Sequence, residues 1–201
     1  MKKIRVGYLP LYIKLYDDAD PHWRDPMVSC MNTLIAMVES QGIEVVRADE
    51  VCRVKAEFDR AAKKFNDAGV DAVITQHLAY SPSLESIDAL LSLDAPIVVF
   101  DTTPDYRLIA AAGYKDCIMD NHGIHGVQDM CSLLKRHRKP YYLCVGHALH
   151  SEVVAELAGL CRAAAARSAY RTARVGSVGG SFTGMGDFLI SDERYRRDIG
   201  A

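Results

Sequence analysis

The chain has 201 residues, 49% hydrophobic and 25% charged, with a formal net charge of −2. That is enough for one sizeable domain with a buried core. The balance of charge excludes both a basic nucleic-acid-binding surface and a disordered acidic tail. No apolar run approaches the roughly 18–20 residues of a membrane span. The start, Met1-Lys2-Lys3-Ile4-Arg5, goes directly into a strand-like run, without the long apolar stretch of a signal peptide. Six cysteines (Cys30, Cys52, Cys117, Cys131, Cys144, Cys161) are scattered with no CxxC pair. They read as reduced, mostly buried small hydrophobes of a cytoplasmic protein with neither nucleic-acid nor membrane partners.

Short β-rich runs alternate with helical stretches. Ile4 to Leu9 reads as the first strand. Pro26 to Gln41 comes next as a helix with Met27, Met31, Leu34, Ile35 and Val38 on one face and Gly42 as its stop. Ile43 to Val46 is a second strand, and Lys55 to Ala68 a helix with a stripe of Phe58, Ala61, Ala62 and Phe65, closed by Gly69. Asp71 to Thr75 is nearly all apolar, as suits a parallel strand covered on both faces. Ser83 to Leu93 (helix), Pro96 to Phe100 (strand), an irregular stretch from Asp101 to Asp120, and a helix from Gly126 to His137 come after it. Tyr141 to Val145 is a fifth strand, and Ser151 opens a long Ala-rich helix to Ser168.

Five βα units over residues 1–170 predict a flavodoxin-like α/β domain, a doubly wound parallel sheet in the order 2-1-3-4-5. Residues 171–201 remain. Arg174 to Val178 looks like a sixth strand, and 179–187 is a Gly-rich loop. They read either as the opening of a second, truncated α/β domain or as a sixth strand of the same sheet with a short closing helix.

Ligands of open α/β sheets collect at the carboxyl ends of the strands. The segments after the strands here are rich in hydrogen-bonding side chains: Leu11 and Tyr12, His77, Tyr80 and Ser81, Thr102 and Asp105, then Asn121-His122-Gly123-Ile124-His125-Gly126, and Gly146, His147 and His150. With His22, further along the segment after the first strand, six of the seven histidines fall in these loops. Such a set suits a polyhydroxylated small molecule. His77 and His147, just past buried strands, are equally in place as structural hydrogen-bonders, and Asp17, Asp18 and Asp20 read as a solvated loop. His122 and His125 lack a third ligand at a diagnostic spacing, so no metal site is expected within the chain. The Gly-rich loop is neither GxGxxG nor a P-loop, no GxSxG occurs, and the turn after the first strand is too bulky to cradle a phosphate.

The stretch Asn121 to Met130 resembles the corresponding segment of the L-fucose/L-arabinose isomerase family. So do Leu11-Tyr12, Tyr80-Ser81-Pro82, Lys139-Pro140, Gly146-His147, and Arg174-Val175-Gly176 leading into Phe182-Thr183-Gly184-Met185-Gly186-Asp187-Phe188. The resemblance implies an aldose–ketose isomerase acting on a pentose or 6-deoxyhexose, assembled as a trimer or hexamer with active sites between subunits. It implies a manganese or other divalent ion whose carboxylate and histidine ligands come from the family's later half, outside this chain. Catalytic residues are therefore expected elsewhere. This chain would be the family's N-terminal region, inactive alone, contributing oligomer surface and a substrate-contacting wall. His125 matches the family's substrate-contacting histidine, and His122 stands where arabinose isomerases carry glutamine. Tyr80 matches a pocket aromatic, and Leu11, Tyr12 and Met185 match other contacts; His77 and Asn121 complete the set from position. The alternative is a free-standing sugar-binding or regulatory module of the same fold.

Overall fold

A computed structural model describes residues 3–107, 118–176, 178–180, 182–186 and 190–200. Cys117, Ser177, Ser181, Asp187 and Phe188, all named in the sequence reading or within its segments, lie outside the described residues. The five expected strands are β1 (Ile4–Leu11), β2 (Ile43–Arg47), β3 (Ala72–His77), β4 (Ile97–Asp101) and β5 (Tyr141–Val145). They form one all-parallel sheet in the order β2-β1-β3-β4-β5. The intervening helices are α1 (Lys14–Ala19), α2 (Asp25–Ser40), α3 (Lys55–Ala68), α4 (Ser83–Leu91), α5 (Gly123–Arg136) and α6 (Val153–Thr172). A short α7 (Asp192–Asp198) comes last, and a 3-10 turn, Pro21–Arg24, links α1 to α2.

Side-chain alternation along the strands builds two cores. Val6, Tyr8, Ile74, Val98 and Phe100 point to the face covered by α2 and α6, where Met27, Leu34, Ile35, Leu157 and Cys161 meet them. Leu9, Val73, Ile97 and Val99 point to the opposite face, against Phe58 and Phe65 of α3, Leu90 of α4, and Met130 and Leu134 of α5. β3 is buried along its whole length, as its near-continuous apolar run predicts for a central parallel strand. Its one polar side chain toward α2, Gln76, accepts the Tyr8 hydroxyl at 2.6 Å. Gly42 and Gly69 do stop α2 and α3, each with positive φ (79° and 59°).

Four boundaries differ from expectation in ways that matter for the site. β1 runs on to Leu11 because Pro10 and Leu11 register with Gln76 and His77, and Leu11 also bridges to Cys52. α1 and the 3-10 turn stand where the sequence reads as loop. α5 begins at Gly123 rather than Gly126, which puts His125 in its first turn. α6 begins at Val153, with the Ser151 hydroxyl accepting the Val153 N–H at 3.3 Å.

Residues 174–176 and 178 form no strand, so β5 is an edge of the sheet among the described residues. The cysteines behave as expected: Cys52, Cys144 and Cys161 are buried, Cys30 and Cys131 half-buried, and all five are free thiols. Among the described residues no helix is long and apolar enough to cross a membrane.

Candidate functional site

The sheet's topological switch lies between β1 and β3, from which the chain leaves in opposite directions. Three chain segments converge there: α1 after β1, the turn 77–83 after β3, and the start of α5. Tyr16 of α1 places its hydroxyl 3.1 Å from Nδ1 of His122. Burial, then the neighbouring His125, lowers the His122 pKa, which favours a neutral ring. With Tyr16 donating to Nδ1, the imidazole proton sits on Nε2. The Tyr80 ring lies 5.8 Å from the His122 ring on the β3 side, and the exposed His125 ring lies 4.7 Å away. His122 is thus held between rings from two strand ends, with His125 beside it in open solvent.

Tyr80 is fixed from α5. Asp129 accepts the Tyr80 hydroxyl at 3.4 Å and the Ser83 N–H at 3.1 Å, which pins the turn after β3 to the helix. Asn121, buried, exchanges two hydrogen bonds with Asp105: its amide donates to the carboxylate at 2.9 Å, and its carbonyl oxygen accepts the Asp105 N–H at 3.2 Å. That exchange ties the loop after β4 to the start of α5. On the far side of this tie Tyr106 stacks on His150 at 4.2 Å, with His147 4.9 Å from His150. His147 donates from Nε2 to the Pro104 carbonyl at 3.2 Å while its Nδ1 accepts the Leu149 N–H.

His77 stands apart from the open cluster. Its residue is only 4% exposed, and the first turn of α5 lies directly on it. A Cβ added at Gly123 would sit 2.5 Å from the His77 carbonyl oxygen, and one at Gly126 would sit 2.4 Å from its ring Cδ2. The two glycines let the helix approach this closely. Burial pushes the His77 pKa down to about 3, with nearby Asp129 opposing, so the ring is neutral. Among the described residues neither ring nitrogen has a hydrogen-bond partner.

Of the residues singled out by sequence, the structure brings Tyr80, Asn121, His122 and His125 together. Tyr12 is buried beside them, its ring 6.0 Å from that of Tyr16, and His77 is buried beneath them. Leu11 is wholly buried in the core. Met185 is exposed, and among the described residues no hydrogen bond or ring contact ties it to the cluster. The sequence reading missed Tyr16, four residues after Tyr12, and it missed Tyr106. It also misplaced Asp17, which is not solvated: its carboxylate accepts Nη1 of both Arg24 and Arg53 at 2.7 Å.

Among the described residues no three His, Cys, Asp or Glu side chains stand close enough to share a metal ion. His122 and His125 offer two imidazoles and no carboxylate, so the residues present do not fit a divalent-ion centre. No protein-family model matches the sequence, and no curated protein matches it either.

Proposed function

We propose that the cluster at the carboxyl ends of β1 and β3 is a sugar-binding wall. In this reading the chain serves an aldose–ketose isomerase resembling the L-fucose/L-arabinose family, acting on a pentose or 6-deoxyhexose. One observation carries it: His122 is locked by Tyr16 and Tyr80 over the switch point, with His125 presented beside it. Fixed imidazole N–H groups supply directional hydrogen bonds to hydroxyls, and tyrosine rings offer flat surfaces to a sugar's C–H face.

Isomerisation moves a proton between adjacent carbons and needs an acid, a base and stabilisation of an ene-diol. The described residues do not assemble the manganese site that the resemblance implies, and no step runs through it here. The residues of this chain bind and orient. His125 and His122 hold hydroxyls, Tyr80 lines one side, and Asn121 fixes the helix start that carries both histidines. Homo-oligomerisation, as trimer or hexamer, belongs to the same proposal.

A second reading, a sugar-binding or regulatory module, draws on a different observation. Two carboxylates bonded to residues of the cluster, Asp105 and Asp129, are engaged by Asn121 and by Tyr80 and Ser83. The wall as built is therefore a binding surface. Calorimetry with L-fucose, L-arabinose and related aldoses, alongside an aldose-to-ketose assay with added manganese, tests both. Binding that His125→Ala weakens supports the wall, and binding without conversion by this chain fits either reading. Turnover by the chain alone would overturn the expectation that it is inactive alone. An absence of binding to every pentose and 6-deoxyhexose would overturn both readings.

A further inference from the structure

The two edges of the sheet are finished differently. β2, at one edge, carries Glu44 and Arg47. Glu44 accepts Nε of Arg5 at 3.0 Å, and Arg47 donates to the Asn32 side chain at 2.8 Å. Charges of this kind keep an edge from pairing with another chain. β5, at the other edge, reads Tyr141-Tyr142-Leu143-Cys144-Val145, with no charge and no proline. Tyr142, Leu143 and Val145 are 53%, 45% and 62% exposed. Helix placement is the cause on one face: α5 packs over β3 and β4, and leaves Leu143 and Val145, which point to its side of the sheet, open to solvent.

The register shows which backbone groups of β5 lack a partner. Gly146 donates its N–H to the Asp101 carbonyl of β4 at 3.1 Å. Backbone groups alternate in direction along a strand, so Tyr142 and Cys144 also turn theirs to β4, and Tyr141, Leu143 and Val145 turn theirs outward. Among the described residues no strand receives them. The segment after α6 does not supply one. α2 carries the chain from β1 to the β2 edge; α6 lies on the same face, and a right-handed crossover there leads in the same direction, away from β5. A sixth strand reached through α6 and laid beside β5 would be left-handed. The end of α6 lies beside the start of β3 instead, where Ser168 and Thr172 line a cavity with Asn66 and Asp71.

We propose that β5 pairs antiparallel with β5 of a second copy of this chain, about a twofold axis at Leu143, so that one sheet runs through both copies. The strand is complementary to itself in that register. Leu143 faces Leu143 of the second copy, and Tyr141 faces Val145. These are the residues whose backbone groups point outward, so each pair exchanges both of its hydrogen bonds. Their side chains share the face that α5 leaves open, and cover one another there. No like charges meet: Lys139, just before the strand, turns its ammonium onto the Leu91 and Leu93 carbonyls at 3.2 and 2.7 Å. The pairing does not depend on the sugar reading, and it narrows the assembly proposed there: an isologous twofold contact fits within a hexamer and has no place in a cyclic trimer.

Sedimentation velocity of the full chain over a range of concentrations measures self-association. Wild type is compared with Leu143→Lys, Leu143→Glu and, as a control, Leu84→Lys, at a 75% exposed leucine of α4. Wild type should pass from monomer to dimer as concentration rises. Leu143→Lys and Leu143→Glu each set like charges face to face at the axis, and each should raise the dimer Kd by about 10-fold or more. Leu84→Lys should leave it unchanged. An equimolar mixture of the two Leu143 variants should restore association, because residue 143 meets its own counterpart. Thermal melting checks that the variants fold. Hydrogen exchange follows the same pairing in wild type: the Leu143 and Val145 amides should slow with concentration, while those of Tyr142 and Cys144, already bonded to β4, change little.

A chain that stays monomeric at every concentration, or whose largest species is a trimer, would overturn the pairing. So would a dimer indifferent to both Leu143 variants, or one that their mixture does not restore. A dimer with the expected response that binds no sugar supports the pairing and counts against the sugar wall alone; a monomer that binds sugar does the reverse.

Discussion

Burying a histidine with neither nitrogen satisfied has a cost that depends on pH, and His77 allows it to be worked out. An unfolded imidazole takes up its proton as pH falls through the ordinary value of 6.5; the folded ring, pushed down by burial, does so only at about 3. Below 6.5 the unfolded state therefore binds more protons than the folded one. The stability associated with the neutral ring is fully present above that value and is lost as pH falls toward 3. At pH 5 the unfolded ring is almost fully protonated and the folded ring almost fully neutral. The loss relative to pH 7 is then about 2 kcal/mol, set mainly by the unfolded value. The perturbation is His77→Leu, which removes the titration and both unpartnered nitrogens while keeping comparable bulk. Urea unfolding of wild type and variant at pH 7 and pH 5 gives four free energies. Wild type should lose about 2 kcal/mol more than the variant on acidification. Equal losses in the two proteins would refute the claim that this ring is buried and neutral.

Other expectations are narrower. Gly126→Ala puts a methyl into the His77 ring and should destabilise by about 1–3 kcal/mol. Gly159→Ala, at an exposed position of α6 with nothing within 4 Å of the added methyl, should stabilise by about 0.5–1 kcal/mol; thermal melting distinguishes the two. Asn121→Ala removes both bonds to Asp105 and should cost about 1–3 kcal/mol, read by denaturant midpoint. Tyr16→Phe removes the donor that favours neutral His122, so the titration of that ring, followed by NMR, should move to higher pH.

The sheet was legible because its signals are local. Apolar stripes at helical spacing, glycine stops at Gly42 and Gly69, and a nearly all-apolar β3 each act within one element, and all point to the same architecture. The features that escaped depend on distant partners. Nothing in Lys14 to Ala19 shows an amphipathic period; its Asp17 is drawn inward by Arg53, which lies 36 positions away. Tyr16 joins the site only through His122, which lies 106 positions away. The segment 174–178 shows the converse. Its valines carry strand propensity, but the described residues there have no neighbour in the sheet, and propensity without pairing does not make a strand. For the site, position at strand ends found Tyr80, Asn121, His122 and His125. The same argument named Leu11, which the continued pairing of β1 draws fully into the core. A helix expected to start at Gly126 leaves His125 in the loop before it. In the structure Gly123 and Gly126 both lie in the first turn of α5, where the closeness they permit against His77 outweighs their cost in freedom.

That contact also couples two positions in the chain's history. Bulk at 126 and bulk at 77 draw on the same volume, so neither can vary freely while the other is kept. A side chain at 126 becomes tolerable only after residue 77 has shrunk, and a double-mutant cycle of His77→Ala with Gly126→Ala should come out strongly non-additive, the pair costing less than its separate members combined. The geometry thus sets an order of tolerance: a smaller residue at 77 makes room for a side chain at 126, and a side chain at 126 meets the ring while His77 is kept.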